Sequence, residues 1–332
     1  MKKYFLMLAV ALATGMVFTS CGDDDDDEGG GGGSFSGKST AGQLDDGRGN
    51  HELPEGYRIS SVGSDFRYYY DERGNLEQIY ADGDYYDFSQ KGMTLEADGY
   101  TVKLSFNSNG FLSKVTGSGI EEYDGIELKL TENYSISYNS NKQISSITGS
   151  AKETGKYEGK TYSMTGNGSI NYTYSGKVLK KVVWKSTESG SDGKSSETYT
   201  YTFDYNNEYE NVYGQWTHYL LYCVLESDIF EALAYCGCLG RASSILPDVV
   251  YEEQYEVEDG ETYEDSDTYK CSYSFNAYGA LRRADGRDYT YKTITPDYDV
   301  KATRAAEQDV LKPFVQKKKA PLSRLFFRRH RK

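Results

Sequence analysis

Hydrophobic and polar residues alternate in short runs that return along the chain. In the first run, Phe66, Tyr68 and Tyr70 precede a four-residue turn that ends in Gly74. Alternation with a period of two places one set of side chains on one face of a strand. The run and its turn return four more times, the fourth copy being shortened. We therefore predict five strand–turn–strand hairpins, whose first strands begin near Phe66, Val102, Tyr134, Ile170 and Tyr273.

The turns and the residues after them follow a common rule. Asn or Asp begins each full turn, because its side chain bonds the backbone just ahead, and Gly at the fourth position supplies a positive φ. The third copy has Lys142 at that position, so we expect a strained or different turn there. The aliphatic residues that follow are three apart, as Leu76 and Ile79 are. This spacing predicts a β-bulge that bends the second strand of each hairpin and curls the sheet.

These patterns predict an all-β fold, a curled antiparallel meander or barrel-like sheet built from repeated hairpins, with one short helical insertion at about 226–247. The first four turns lie 32 to 36 residues apart, which favours true repetition over an ordinary meander. Within the insertion, the apolar spacing predicts the chain's one internal helix over 228–235, with Asp228 and Glu231 as a capping pair and Gly237 as its stop. We expect this insertion to cover an open end of the sheet.

Composition agrees with strands and tight turns. The 332 residues include 33 Tyr and 35 Gly but only 5 Pro, and 37% of the chain is hydrophobic. The net charge of −14 argues against a nucleic-acid partner.

The N-terminal sequence predicts export from the cytoplasm. Lys2 and Lys3 precede a short apolar stretch, so residues 1–20 are identified as a signal peptide. The sequence Phe18-Thr19-Ser20-Cys21 resembles a lipobox, with Phe18 where the motif usually has Leu. The resemblance implies cleavage before Cys21 and lipidation of its thiol. The alternative is a signal peptide with an incidental cysteine.

An acidic run follows the lipobox directly and resembles the export signal of Bacteroidota surface lipoproteins; its residues are Asp23, Asp24, Asp25, Asp26, Asp27 and Glu28. That resemblance implies anchoring by an acyl chain in the outer membrane, with exposure at the cell surface. The plainer interpretation is a solvated charge run. Residues 21–55 are then a disordered acidic and Gly-rich tether, which reaches about 30 Å.

The chain is expected to continue as a β domain over 56–298 and to end in a basic tail over 299–332. From Lys312 onward the tail has nine Lys or Arg and no acid. It either contacts anionic lipid or is simply disordered.

A wider resemblance rests on the hairpins, the helix and the loop Gly240-x-x-Ser243-x-x-Leu246-Pro247. Together they resemble an uncharacterised family of Bacteroidota lipoproteins described as porin-like in fold. The hairpins alone are similar to the tyrosine–aspartate repeats of bacterial surface proteins. The resemblance covers about 57–295 and implies a barrel-like antiparallel sheet, but no activity, cofactor or catalytic residue. Frequent charges in the strands favour a tethered soluble domain over a membrane-spanning one.

Four cysteines besides Cys21 lie in the predicted domain: Cys223, Cys236, Cys238 and Cys271. Outside the cell they allow two disulfides in three connectivities. Because Cys236 and Cys238 are poorly spaced to bond each other, we expect each to pair with Cys223 or Cys271. The alternatives are free thiols or a four-thiolate zinc site, for which Cys-x-Cys lacks a second close pair.

Candidate chemistry is otherwise sparse. His218 is the only histidine away from the tether and tail, and no nucleophile elbow, zinc-protease pair or phosphate loop occurs, so we assign no catalytic residue, metal or cofactor. Most strand tyrosines share the apolar face and should pack in the core. Tyr69 should point outward, and Trp184 and Trp216 are candidate ligand anchors that also suit a core.

Three functions remain open at this stage. The first is a non-enzymatic surface module that binds glycan, protein or envelope components. The second is an extracellular glycan hydrolase with an unidentified carboxylate pair, and the third is a structural envelope protein. An open aromatic surface would favour the first, paired acids in a cleft the second, and a closed core the third.

Overall fold

The computed structural model describes residues 57–293 apart from 72–73, 82, 90–91, 98–99, 124–125, 158–159, 191–192, 207–208, 222–227 and 259. The predicted signal peptide, tether and basic tail lie outside these residues. The elements in chain order are β1 (Tyr57–Val62), β2 (Phe66–Tyr70), β3 (Leu76–Ala81), β4 (Asp84–Asp87), β5 (Met93–Ala97), β6 (Tyr100–Phe106), β7 (Leu112–Tyr123), β8 (Ile126–Tyr138), β9 (Ile144–Tyr157), β10 (Lys160–Ser175), β11 (Val178–Gly190), β12 (Gly193–Asp204), β13 (Tyr209–Glu210), α1 (His218–Leu221), α2 (Asp228–Tyr235), β14 (Ile245–Leu246), β15 (Val249–Glu258), β16 (Glu261–Lys270), β17 (Tyr273–Phe275), β18 (Leu281–Ala284) and β19 (Arg287–Thr293).

The strands form two large antiparallel sheets. One has seven strands in the order β17-β18-β19-β1-β2-β3-β4, and the other has ten in the order β16-β15-β12-β11-β10-β9-β8-β7-β6-β5. A two-stranded sheet joins β13 to β14. Neighbouring strands are mostly consecutive, as in a meander. The two ends of the ten-stranded sheet, β16 and β5, are not paired with each other, so the described strands do not close into a barrel. The predicted all-β antiparallel fold is confirmed.

The repeated hairpins are confirmed, and so is the bulge in each of them. The five copies form β2–β3, β6–β7, β8–β9, β10–β11 and β17–β18. In the first, Tyr69 pairs with Gln78 and Tyr70 with Leu76, so the second strand carries one extra residue. The other four copies shift register at the equivalent position. The extra residue lets aliphatic residues three apart reach the same face, which explains the spacing in the sequence.

The turns have the expected side-chain bonds. Asn107 Oδ1 accepts hydrogen bonds from the backbone N–H groups of Asn109 (2.9 Å) and Phe111 (3.2 Å), and Asn139 and Asn276 do the same in their own turns. This arrangement fixes the turn before the second strand begins.

Lys142 occupies the position that glycine has in the other full turns, with a φ of 62°. This left-handed conformation costs a non-glycine residue roughly 1–2 kcal/mol. Glycine would remove that strain, but it loses more conformational entropy than lysine on folding, which offsets part of the gain. We expect Lys142→Gly to stabilise the domain by about 0.5–1 kcal/mol. Urea unfolding would measure this gain in stability. Gly110→Ala is the converse control, because Gly110 has a φ of 77° and an alanine there should destabilise the domain. A Lys142→Gly protein less stable than wild type would contradict this reading of the turn.

The helical insertion lies at the hairpin-turn end of the ten-stranded sheet. Three backbone hydrogen bonds join it to consecutive hairpins, from Leu112 N to Cys238 O, from Arg241 N to Lys142 O and from Ser244 N to Lys177 O, at 2.8, 2.9 and 3.0 Å. The apolar stripe of α2, which comprises Ile229, Phe230, Leu233 and Ala234, is buried to within 1%. It joins the core that both sheets share. The insertion therefore covers one end of the sheet, as expected.

The helix ends as predicted at Gly237. Gly237 N donates to Ala234 O (2.9 Å) and Cys238 N donates to Leu233 O (2.8 Å), which is a Schellman motif. The prediction of a single internal helix was wrong, because α1 forms a second helix of four residues. A helix of four residues is too short to show a periodic spacing of apolar residues in the sequence.

Candidate functional site

Three tyrosine rings lie together on the outer face of β2, β3 and β4. Tyr80 is 5.0 Å from Tyr85 between ring centroids, and Tyr69 is 5.9 Å from Tyr85. All three side chains are half-buried. In β2 the residues on either side of Tyr69 point into the core, with Tyr68 and Tyr70 each 1% exposed. Alternation thus leaves Tyr69 facing outward, as predicted.

Polar and cationic groups surround these rings. The guanidinium of Arg67 lies 5.5 Å from the centre of the Tyr80 ring, and Lys292 Nζ lies 5.8 Å from that of Tyr69. Gln78 Nε2 donates to Asp87 Oδ1 at 2.7 Å on the same face. We call the three rings with Arg67 and Lys292 the tyrosine patch. It combines flat apolar area with hydrogen-bonding groups at its edge.

A second surface consists of carboxylates on the inner face of the ten-stranded sheet, the face that carries the core. Glu197 on β12 pairs directly with Glu256 on β15, and Glu188 on β11 is the diagonal neighbour of Glu197. We call these three residues the carboxylate row. Burial, followed by repulsion from Glu256 and Glu188, raises the pKa of Glu197 to about 7. Burial and the charge of Glu153 likewise raise the pKa of Glu188 to about 7.

These raised pKa values predict a stability that falls as the pH rises. A carboxyl group whose pKa is higher in the folded protein binds its proton more tightly there than in the unfolded chain. Its charged form therefore lowers the free energy of unfolding, beginning above about pH 4.5 and reaching the full effect above about pH 7. We expect Glu197→Gln to stabilise the protein by about 2 kcal/mol at about pH 8, after allowance for solvent screening, and to change little at about pH 5. Urea unfolding at both pH values measures this, with exposed Glu264→Gln as the control. Equal effects at the two pH values would contradict the assignment.

A half-buried ionic network joins both helices to the seven-stranded sheet. Glu231 Oε1 accepts hydrogen bonds from Tyr235 OH (2.6 Å), from His218 Nδ1 (3.1 Å) and from Nη1 of Arg287. Burial alone would raise the pKa of Glu231, but the bonds from His218 and Tyr235 and the charge of Arg287 together lower it. His218, the histidine that the sequence places away from the tether and tail, is thus hydrogen-bonded to Glu231 at the start of α1. This hydrogen bond links α1, which contains His218, to α2, which contains Glu231.

The other candidate residues lie in different parts of the molecule. Trp216 is 1% exposed and donates from Nε1 to Gly240 O at 2.9 Å, so it is a core residue. Trp184 is half-buried and stacks on Tyr199 with centroids 4.7 Å apart, beside the carboxylate row. Neither tryptophan contributes to the tyrosine patch.

The cysteines are likewise separated. Cys236 and Cys238 are buried with their Sγ atoms 3.6 Å apart, and Cys271 is half-buried beside Tyr273. Cys223, Cys21 and the acidic run lie outside the described residues. Over the described part of the chain, no group of three or more His, Cys, Asp or Glu side chains is arranged to hold a metal ion. No helix within that part is long and apolar enough to span a bilayer.

Comparison with known proteins gives only distant likenesses. No protein-family model matches the chain, and no curated protein is significantly similar to it in sequence. A crystal structure of a porin-like protein from Bacteroides vulgatus superposes with a TM-score of 0.44 at 12% identity, over 70% of this chain and 98% of the other. One from Bacteroides uniformis gives a TM-score of 0.23 at 15% identity, over 60% and 95%. Neither likeness is close enough to carry a conclusion about what this chain does.

Proposed function

We propose that this chain is a non-enzymatic binding module, anchored to the outer membrane through Cys21 and exposed at the cell surface, that binds carbohydrate at the tyrosine patch. The observation that supports it most is the contact of three half-exposed rings on one sheet face. A pyranose ring presents a face of C–H groups that packs on an aromatic ring, and its hydroxyls need polar partners at the edge. The tyrosine patch offers both, because Arg67, Lys292 and the Gln78–Asp87 pair surround its rings.

The proposal is tested by screening the full chain on an array of plant, mucosal and bacterial polysaccharides and then measuring affinity for the best ligand by calorimetry. We expect Tyr85→Ala to weaken binding about tenfold or more, because Tyr85 contacts both other rings and truncating a central aromatic anchor typically costs over 1 kcal/mol. Tyr255→Ala is the matched control, since Tyr255 is 45% exposed on the distant strand β15. An array without any bound glycan, or equal losses in the two variants, would contradict the proposal.

Glycan hydrolysis is the second candidate, and one observation favours it. Glu188 and Glu197 are diagonal neighbours, whose Cα atoms lie roughly 7–8 Å apart in ordinary cross-strand geometry, and both have pKa values raised to about 7. A spacing of this size matches an inverting glycosidase, in which one carboxyl group is the acid and the other the base that activates water. Release of reducing ends by the wild-type protein that is lost in Glu188→Gln would establish it and overturn the non-enzymatic assignment.

A further inference from the structure

The end of helix α2 brings two cysteines together. Cys236 and Cys238 flank Gly237, and their Sγ atoms lie 3.6 Å apart. The Schellman motif reverses the chain here, so side chains two residues apart turn toward each other. The sequence favoured a disulfide from each cysteine to Cys223 or Cys271, with free thiols or a zinc site as the alternatives. The spacing argument did not take account of the chain reversal at the end of α2.

The local geometry suits a covalent bond. A disulfide needs its sulfurs about 2.05 Å apart, so Cys236 and Cys238 must approach by about 1.5 Å. Gly237, with a φ of 88°, has no Cβ to obstruct that adjustment. Both cysteines are at most 1% exposed, and Cys236 Sγ also lies 3.4 Å from Leu233 O. Cys271 lies elsewhere, at the end of β16, in contact with Tyr273.

We infer that Cys236 and Cys238 are a redox site that closes to an intramolecular disulfide in the presence of a small oxidising disulfide. One thiolate attacks the external disulfide and releases one thiol, and the second thiolate then displaces the other thiol from the mixed disulfide. The cysteines lose two electrons and two protons, and the external disulfide becomes two thiols. The new bond closes a loop of only three residues, which restricts the unfolded chain little, so mild dithiols should reopen it.

Oxidation of this pair acts where the insertion meets the sheet. Cys238 O accepts a hydrogen bond from the backbone N–H of Leu112. Two residues later, Gly240 O accepts a hydrogen bond from the indole Nε1–H of Trp216. Drawing the sulfurs together changes the turn that holds both acceptors. Because the sulfurs are buried, an oxidant reaches them only when this end of α2 opens. Low concentrations of urea should therefore accelerate the reaction without unfolding the sheet.

The test uses the reduced full chain treated with oxidised glutathione in buffer and in low urea. After acid quenching, free thiols are alkylated under denaturing conditions and the digest is analysed by mass spectrometry. We expect the peptide that contains both Cys236 and Cys238 to lack both alkyl groups and to be two hydrogens lighter than its reduced form. Dithiothreitol should restore double alkylation, and Cys271→Ser should leave the result unchanged.

Two outcomes would overturn the inference. One is a disulfide that links Cys236 or Cys238 to Cys223 or Cys271. The other is complete alkylation of both cysteines after treatment in low urea. Cys238→Ser should leave Cys236 free or joined to glutathione, but the wild-type digest decides the question even if that variant fails to fold.

Discussion

Replacing Gly149 with alanine is expected to destabilise the domain by about 2–3 kcal/mol. Gly149 lies on β9 directly opposite Tyr134 of β8, whose ring covers it. A Cβ atom there would lie 2.1 Å from Tyr134 Cδ1 and 2.6 Å from the carbonyl oxygen of Asn133. The ring can rotate, but the carbonyl belongs to the paired strand and can yield only if the ladder shifts. Urea denaturation near neutral pH measures the loss.

Gly166 on β10 provides the matched control on the same inner face. The nearest atoms to a Cβ at that position are 3.9 Å away, so alanine fits without displacement. We expect Gly166→Ala to be neutral or stabilising by up to about 1 kcal/mol, because alanine restricts the unfolded chain. Similar losses in the two variants would show that the Tyr134 contact is not the cause.

Replacing Arg287 with methionine is expected to cost about 2–3 kcal/mol. Arg287 donates to Glu231, and the two side chains are only 26% and 17% exposed. Methionine keeps the apolar length beside Phe66 but leaves the Glu231 charge without its cation. Removing one partner of a largely buried pair costs more than the pair itself contributes, because the remaining charge stays desolvated.

The pH dependence identifies the cause of that loss. The pKa of Glu231 is lowered in the folded protein, so its contribution is present above the unfolded value near 4.5 and disappears as the pH falls through the folded value. The gap between wild type and Arg287→Met should thus be largest at about pH 7 and should shrink progressively as the pH falls below about 4.5. Arg283→Met is the control, because Arg283 lies 3.8 Å from Asp288 with both side chains over half exposed, and it should change stability by less than about 0.5 kcal/mol. Equal losses in the two arginine variants would refute this account.

Local chemistry explains why the hairpins could be predicted and the sheet order could not. Each full turn is specified by its own Asn or Asp and, in all but one, its Gly. The bulge after the turn is indicated by aliphatic residues three apart. The pairing of β12 with β15, by contrast, joins strands separated by the whole helical insertion. No residue near Thr198 or Tyr255 indicates that these two become cross-strand neighbours. Alternation also could not decide whether the sheet closes, since the same pattern fits an open sheet and a barrel.

Part of the candidate site was readable from the sequence. The hairpin that joins β3 to β4 sets Tyr80 opposite Tyr85, and alternation sets Tyr69 outward, so the three rings of the tyrosine patch follow from local register. Lys292 does not, because it reaches the patch from β19. The carboxylate row was harder, because its third member, Glu256, comes from β15. The contact of Cys236 with Cys238 depends on the chain reversal at Gly237, which the sequence marks as the helix stop but which the spacing of the two cysteines does not show.

The open end of the ten-stranded sheet has a consequence for behaviour in solution. Among the described strands, β16 pairs only with β15, and a strand at the edge of a sheet can accept a strand from another molecule. Four acidic residues, Glu261, Glu264, Asp265 and Asp267, lie along it. Because two such edges repel each other at neutral pH, the same strand that leaves the sheet open also opposes edge-to-edge pairing between copies of the domain.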